Sequence, residues 1–212
     1  MYTGTLKNEK RNGKGICIWS NKAKYVEMWK DDKFSGEGTF YIPTGGVIEG
    51  HWEKGELNGK GKYSYPSGEE IEGEFVNDKV NGEARHKGAD GTLYVGNFVD
   101  NKKCGKGVMV WPDNRRYEGE FLNDEINGNG ILYSKDGSIY NGEFMNGKKH
   151  EKKHGKGTYT WKDGRKYIGN FANGKQHGLG TYITDNKQRE GRWDKGIRVE
   201  WVTEIQEITT NI

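Results

Sequence analysis

Large apolar residues and glycines alternate with polar residues along most of the chain. In one stretch, Tyr117, Gly119 and Phe121 occupy one set of alternate positions, and Glu118 and Glu120 occupy the other. A period of two is typical of a β-strand, whose side chains point to opposite faces in turn. No apolar stripe of helical period precedes the C-terminal segment, so the pattern predicts strands with one apolar face.

The same pattern recurs along the chain with a period of 23 residues. Most copies open with a large apolar residue, a Gly and a second large apolar residue at alternate positions, and in most a Gly-x-Gly sequence begins eleven residues after the opening residue. In the second copy Glu27 replaces the first Gly. Eight copies begin at Tyr2, Tyr25, Ile48, Ile71, Tyr94, Tyr117, Tyr140 and Tyr167, and a partial ninth begins near Gly191. Such self-similarity indicates a tandem array in which each copy is one supersecondary unit.

Each copy is predicted to be a β-hairpin. The turn-forming pair Asn123-Asp124 separates the two strands of one copy, and Asp136-Gly137 separates that copy from the next. A glycine leaves a hollow over the sheet in which a ring from the neighbouring strand can lie. We therefore predict an all-β fold, an elongated single-layer antiparallel meander of tandem 23-residue hairpins.

The repeat array is predicted to cover residues 1–196, as eight repeats and a partial ninth. The step that follows Tyr140 is 27 residues, which places an insertion near residues 149–152. Residues 197–212 are predicted to be a C-terminal cap over the last strand.

Two alternatives remain for the structure of this cap. Trp201, Val202, Ile205 and Ile208 recur at spacings of three and four, which predicts a short helix over about residues 200–209. An added strand is the alternative, because β-branched residues disfavour a helix. No comparable cap precedes the first strand, so an end-to-end homo-oligomer is a further hypothesis.

The motif Tyr-x-Gly-x-Phe or Trp, followed by Gly-x-Gly on this period, resembles the MORN repeat (membrane occupation and recognition nexus) over about residues 2–196. The resemblance implies tandem hairpins in an extended curved sheet whose aromatic groove binds partner segments. It also implies roles in cytoskeletal, ciliary or axonemal, or membrane-junction assemblies. On this hypothesis the chain is a non-catalytic protein-binding scaffold located in the cytoplasm, at the cytoskeleton, at the cilium or at a membrane.

Composition narrows the classes of partner. The formal net charge is +3, with 34 basic and 31 acidic residues mixed along the whole length, so nucleic acid is disfavoured as a ligand. The two cysteines, Cys17 and Cys104, lie far apart in the sequence and have no other potential metal ligands at suitable spacing. They indicate ordinary thiols of a reducing compartment. Neither a signal peptide nor an apolar run of membrane-spanning length is expected.

The predicted groove would receive an extended or helical protein segment with apolar anchors. Aromatic residues from the repeats are predicted to line it: Trp52, Tyr63, Phe75, Tyr94, Phe98, Tyr117, Phe121, Tyr140, Phe144, Tyr159 and Tyr167. These rings also form the predicted core, so only their uncovered parts can bind a partner.

The insertion contains the sequence His150-Glu151-Lys152-Lys153-His154, which has the spacing of a zinc-protease motif. That chemistry needs both histidines on one face of a helix and a third ligand, and neither is predicted here. We predict no catalytic residue, no metal site and no cofactor. Lys148, Lys149, Lys152 and Lys153 form a predicted anionic-partner loop, which meets an acidic partner or an anionic lipid, or else is a solvated bulge. The alternative function is a peripheral membrane adaptor that binds anionic phospholipids through this loop.

The fourth copy departs from the pattern, since Ala84 replaces the second glycine and His86 stands where other copies carry a large apolar residue. One hypothesis is a tolerated degenerate repeat. The other is a groove widened at this point for a partner side chain.

Overall fold

The computed structural model describes residues 1–145 and 152–208, and every regular element within these ranges is a β-strand. The chain folds as two compact units, Met1–Cys104 and Gly105–Ile212. The strands of the first unit are β1 (Tyr2–Lys7), β2 (Lys10–Ile18), β3 (Lys24–Lys30), β4 (Lys33–Tyr41), β5 (Val47–Glu53), β6 (Glu56–Ser64), β7 (Glu70–Val76), β8 (Lys79–Lys87) and β9 (Leu93–Val99).

Strand β10 (Lys102–Val110) contains the boundary between the units. The second unit continues with β11 (Arg116–Leu122), β12 (Glu125–Tyr133), β13 (Ile139–Met145), β14 (Lys152–Thr160), β15 (Lys166–Ala172), β16 (Lys175–Thr184), β17 (Lys187–Asp194), β18 (Ile197–Trp201) and β19 (Gln206–Glu207). In each unit, consecutive strands pair antiparallel in chain order as one layer, which confirms the predicted all-β antiparallel meander.

The turns within the copies have the backbone geometry that the sequence predicts. Asn123 and Asp124 have φ values of 50° and 73°, and the equivalent pair Asn77 and Asp78 has values of 49° and 65°. Two central residues with positive φ define a two-residue type I′ turn, whose twist matches that of the flanking strands and which favours Asn, Asp and Gly. The hairpins of these copies are therefore specified locally.

Neighbouring turns in the first unit are joined by side-chain hydrogen bonds. The Asp78 carboxylate accepts a bond from the Leu57 backbone N–H at 2.8 Å, and the Asn101 amide oxygen accepts one from the Val80 N–H at 2.8 Å. The Asp32 carboxylate accepts a bond from the Arg11 backbone N–H at 3.0 Å. A turn residue of one copy thus satisfies a backbone donor of the preceding copy.

The core lies on one side of the sheet, where tyrosine rings cover paired glycines. Gly119 on β11 faces Gly130 on β12, and Tyr117 faces Leu132. A Cβ atom added to Gly130 would lie 2.5 Å from Cζ of Tyr117, and one added to Gly119 would lie 2.6 Å from the Cα of Gly130. Only residues without a side chain leave room for the ring, as the hollow predicted from the sequence requires. We call the side that carries these rings the aromatic face, and the opposite side the polar face.

In the copies that open with tyrosine, this tyrosine also binds a bulge on its own strand. The register shifts between Gly119 and Phe121, and Gly128 opposite this point has a φ of 74°. The Tyr117 hydroxyl donates to the carbonyl oxygen of Glu120 at 3.2 Å. The same bond, from the tyrosine to the third residue after it, forms from Tyr2, Tyr25, Tyr94, Tyr140 and Tyr167. A carbonyl at an irregular position of the ladder is thereby satisfied.

Edge-to-face ring contacts connect the copies of the second unit. Tyr117 contacts Phe121 of its own strand and Phe144 of the next copy, with ring centroids 5.4 and 5.1 Å apart. Tyr140 contacts Phe144 and Phe171 in the same way, at 5.1 and 4.9 Å. The series continues through Tyr167 to Trp193. Such T-shaped pairs add to the energy of burial, so the rings form one continuous core within this unit.

The fourth copy keeps the strand pairing of the others with a different pair of residues in the core. Ile71 stands where most copies have tyrosine, and Ala84 stands in place of the second glycine, opposite Gly73. The Ala84 side chain is buried and occupies the space that a tyrosine ring fills elsewhere. The smaller aliphatic residue and the added methyl group compensate each other in volume, which favours the hypothesis of a tolerated degenerate repeat.

The helix expected over residues 200–209 is wrong for the part that the structure describes, which ends at residue 208. Strand β18 pairs with the second half of β17, and β19 pairs with its first half. Between them, the Val202 N–H donates to the Glu190 carbonyl at 2.9 Å, and the Thr203 hydroxyl accepts from the Glu190 N–H at 3.0 Å. The added strand, the alternative to a helix, is what forms.

The open edge of β17 explains this outcome. An unpaired edge strand leaves a row of backbone donors and acceptors without partners, and an extended segment satisfies them where a helix cannot. The spacing of Trp201 and Ile205 is compatible with a helix, but it does not account for the hydrogen bonds that β17 would lose.

We predict a measurable coupling between positions 117 and 130. Gly130→Ala should lower the free energy of unfolding by about 1–3 kcal/mol, because the methyl group overlaps the Tyr117 ring, and Tyr117→Ile should lower it by about 2 kcal/mol through lost packing. The double variant reproduces the Ile71 and Ala84 pair of the fourth copy. It should be less destabilised than the sum of the single variants, by about 1 kcal/mol or more.

Urea denaturation followed by tryptophan fluorescence measures all four members of this cycle. Ala84→Gly in the fourth copy is the matched control, and it should cost about 0.5–1 kcal/mol because it adds backbone freedom without removing an overlap. Strict additivity of the two substitutions would contradict the proposed packing of ring on glycine.

Candidate functional site

Most rings of the predicted groove are core residues. Nine of them are buried, with exposures of 4% or less: Trp52, Phe75, Tyr94, Phe98, Tyr117, Phe121, Tyr140, Phe144 and Tyr167. All nine lie on the first strand of their copies. Tyr63 and Tyr159, on second strands, are half-buried. Any partner on the aromatic face therefore meets residues of the second strands and of the loops between copies, and the groove itself stays a prediction.

In the first unit, a cluster of half-buried rings lies above the buried ones. The Trp19 ring contacts the rings of Phe34 and Phe40 at centroid distances of 6.0 and 6.1 Å. Further along, Tyr63 stacks on Tyr65, with centroids 4.8 Å apart and planes inclined by 23°. These side chains form an apolar surface that is accessible in part to solvent.

In the second unit, half-buried rings form a row near the C-terminal end. The Trp161 ring contacts those of Tyr159 and Tyr182, at 4.9 and 5.7 Å, and Tyr182 in turn contacts Trp201 at 6.2 Å. The register places Tyr159 and Tyr182 beside Tyr167, and Trp201 beside Gly191, so the row belongs to the aromatic face.

The sequence analysis did not predict that Trp161, Tyr182 and Trp201 contribute to the binding surface. Tyr182 follows its Gly-x-Gly at the same interval as Tyr159, so alignment of the copies would have identified it. Trp201 lies in the segment for which a helix was expected, and its place in the row follows from the strand β18.

Arginines lie over the rings of this row. Arg165 lies 5.6 Å from the Trp161 ring centroid, and Arg189 and Arg198 lie 4.8 and 4.2 Å from that of Trp201. Arg165 also donates to the Tyr182 hydroxyl at 3.0 Å. The Nε of Arg165 donates to the Asp163 carboxylate and that of Arg189 to the Thr203 carbonyl, each at 2.7 Å. Because a guanidinium carries five N–H donors and can stack on a ring while it donates, these contacts place cationic donors at an aromatic surface.

The structure describes two of the four lysines of the proposed anionic-partner loop. Lys152 is exposed, whereas Lys153 points over the aromatic face, with its Nζ 4.2 Å from the centroid of Tyr159 and 5.4 Å from that of Tyr140. Burial lowers the pKa of Lys153, and Asp136 opposes this effect. Lys148 and Lys149, like His150 and Glu151 of the zinc-protease motif, lie outside the described residues.

The polar face carries charges opposite one another on neighbouring strands. Lys60 faces Glu74 and Lys62 faces Glu72 in the register of β6 with β7, as expected for cross-strand pairs. The Lys62 ammonium lies 3.4 Å from the carboxylate of Glu70, two residues before Glu72 on β7. Such exposed pairs help to specify register more than they stabilise the fold.

Within residues 1–145 and 152–208, no group of three or more His, Cys, Asp or Glu side chains is arranged to hold a metal ion. Cys17 is buried, Cys104 is half-buried, and both are free thiols. A search of the same residues for a helix long and apolar enough to cross a membrane finds none.

The model of the MORN repeat matches the chain at residues 2–24, 28–47, 49–70, 72–93, 94–114, 117–139, 140–152, 151–164 and 167–189. The chain belongs to the MORN-repeat family. Two of the matches, 140–152 and 151–164, meet within the predicted insertion near residues 149–152. The opening residues of the MORN repeats supply the buried tyrosines, so the family motif describes the core of the fold.

Comparison of this MORN-repeat chain with curated protein sequences gives no match. Among solved structures, it is similar to the TCP domain of SAS-4 (dCPAP) in complex with a proline-rich motif of Ana2 (dSTIL) of Drosophila melanogaster, with 11% identity, a TM-score of 0.46, and coverage of 91% of this chain and 95% of that one. It is also similar to the TCP10 domain of Danio rerio CPAP in complex with a peptide of STIL, with 15% identity, a TM-score of 0.34, and coverage of 96% and 100%. Values this low carry no argument about function.

We predict that the repeat tyrosines make the fold sensitive to alkaline pH. Burial raises the pKa of Tyr167 from 10.0 to about 12, and it also raises the pKa of Tyr25, Tyr117 and Tyr140. Because the unfolded chain loses these protons first, stability should be retained below pH about 10 and fall as the pH rises towards about 12.

Urea denaturation at a series of pH values, with tyrosinate absorbance recorded in parallel, checks this expectation. Tyr167→Phe keeps the ring and removes the ionisable hydroxyl, so its stability should fall less steeply over the same range. Equal losses in the parent and the variant would argue against a burial-shifted Tyr167.

Proposed function

We propose that the chain is a non-catalytic protein-binding scaffold, which holds a segment of a partner protein against the half-buried rings of its aromatic face. The observation that supports this proposal is the division of the rings into two sets. First-strand rings are buried and hold the copies together, whereas Tyr63, Tyr159, Trp161, Tyr182 and Trp201 keep part of their surface exposed. A partner can cover the second set without unfolding the first.

The chemistry of these residues suits protein recognition. Tyrosine and tryptophan bring large apolar area at a low cost in side-chain entropy, and they dominate the energetic centres of protein interfaces. Their rings here are held by contacts with neighbouring rings, as between Tyr63 and Tyr65, so little ordering is needed when a partner binds. An extended or helical segment with apolar anchors is the expected ligand.

Membership of the MORN-repeat family supports placing this scaffold in a cytoskeletal, ciliary or axonemal, or membrane-junction assembly. A cytoplasmic location is part of the proposal, and the free thiols of Cys17 and Cys104 are compatible with it. The alternative, a phospholipid-binding adaptor, stays a prediction that concerns mainly Lys148, Lys149 and Lys152, because Lys153 points towards rings.

Photo-cross-linking from defined positions tests the proposed surface. A photoreactive phenylalanine analogue replaces Tyr63 or Tyr182 on the aromatic face of the full chain, and Tyr41 or Tyr133 on the polar face serves as the matched control. After irradiation in cell extract, we expect partner proteins to be cross-linked from positions 63 and 182 and not from 41 and 133. The products are identified by mass spectrometry.

The control positions on the polar face show whether cross-linking is specific to the aromatic face. All four positions are tyrosines on strands or at their ends, so the analogue is accommodated at similar cost. Cross-links from Tyr41 or Tyr133 alone, or equal yields from both faces, would place the binding surface elsewhere and contradict the proposal.

A further inference from the structure

The row of rings in the second unit differs in charge from that in the first. Position 165 and the equivalent position 115 carry arginine, whereas the equivalent positions in earlier copies carry Ala23, Gly46 and Glu69. Beside the ring cluster of the first unit, Arg11 lies over Trp29 at 4.2 Å. The row of the second unit has three arginines over its rings, Arg165, Arg189 and Arg198.

We define the Arg-aromatic patch as the six residues Trp161, Tyr182, Trp201, Arg165, Arg189 and Arg198. All six come from the second unit, between β14 and the end of β18. The register places Arg189 opposite Tyr182 and Arg198 opposite Trp193, so both arginines emerge on the aromatic face. Arginine and ring are thus presented side by side on one surface.

The carboxylates of the chain neutralise this patch only in part. Arg165 pairs with Asp163 at 2.7 Å, and Arg189 lies 3.9 Å from Glu204, whose side chain is 98% exposed. Arg198 is exposed and makes no ion pair with any residue that the structure describes. The Arg165–Asp163 pair is exposed and exchanges partners at little cost. Arg189 is held through its Nε by the Thr203 carbonyl at 2.7 Å and directs a terminal nitrogen towards Glu204. Three arginines against two carboxylates leave a positive surplus that a ligand can use.

Resting on the proposed function, we propose that the Arg-aromatic patch is the docking site for an acidic segment of a partner protein. Aspartate or glutamate side chains pair with Arg165, Arg189 and Arg198, and apolar side chains next to them lie on Trp161, Tyr182 and Trp201. Charge-assisted hydrogen bonds from guanidinium to carboxylate fix the segment, and the rings supply the apolar contact. In the first unit, Arg11 lies over Trp29 beside the ring cluster and pairs with Asp32 at 2.8 Å, so a weaker preference for acidic segments is expected there.

Selection from a library of random linear peptides tests this assignment without knowledge of the partner. The full chain is the immobilised target, and the enriched peptides are sequenced. We expect enrichment of Asp and Glu next to aromatic or large aliphatic residues, with binding that weakens as salt concentration rises. The triple variant R165Q/R189Q/R198Q should lose the acidic enrichment.

A matched triple variant on the polar face controls for net charge. Lys156, Lys166 and Arg192 face away from the rings, and Arg192 has a carboxylate partner, Glu200, at 2.9 Å, as Arg165 has Asp163. K156Q/K166Q/R192Q should bind the selected peptides like the parent chain. The single variant Arg198→Gln tests the patch with little disturbance of the fold, because the Arg198 side chain has no carboxylate partner among the described residues. It should weaken binding of the selected peptides about tenfold.

The outcomes separate this inference from the proposed function. Enrichment of apolar peptides without acidic residues, lost on Trp161→Ser but kept by the arginine triple variant, would overturn the acidic docking site and leave the scaffold standing. Binding of anionic vesicles or single-stranded DNA through the three arginines, with no acidic peptide selected, would also overturn it. Failure to select any peptide, together with no cross-link from the aromatic face, would contradict both the acidic docking site and the proposed scaffold function.

Discussion

The fold depends on one contact, a tyrosine ring lying flat against two glycines on paired strands. A single-layer sheet has no second layer to cover its backbone, and burial of apolar area is the main source of stability. The ring of Tyr117 over Gly119 and Gly130 supplies this burial from within the hairpin, and its hydroxyl satisfies the carbonyl of Glu120. Ring and backbone thus replace the packing of one sheet upon another.

Because of this contact, some rings of the aromatic face are buried in the core and others remain partly exposed. The tyrosine that opens a copy lies over glycines, and the phenylalanines of its own strand and of the next copy cover its ring, as Phe121 and Phe144 cover Tyr117. A ring on the second strand, such as Tyr159 or Tyr182, lies beside the tyrosine that occupies the hollow, and part of it remains at the surface. Stability and recognition can then be altered separately, although both reside on one face.

Much of the fold could be predicted from the sequence, because its determinants are local. The period of two, the turn pair Asn123-Asp124 and the glycine pairs all act within one copy or between neighbours. Exposure was harder to predict, since Tyr140 and Tyr159 have the same alternation and the same chemistry, yet only one lies in the hollow. The C-terminal segment was mispredicted because the decisive interaction, the open edge of β17, is invisible in the spacing of Trp201 and Ile205.

The hydrogen bonds between neighbouring turns of the first unit have a consequence for the evolution of such chains. Asp78 binds Leu57 and Asn101 binds Val80, so each copy touches its immediate neighbours and no others through these bonds. When energies are shared only between adjacent modules, duplication or loss of a whole module leaves every surviving junction intact. Genes for proteins built in this way can lengthen or shorten by unequal recombination, and the series of core phenol and indole rings would then gain or lose the rings of one repeat.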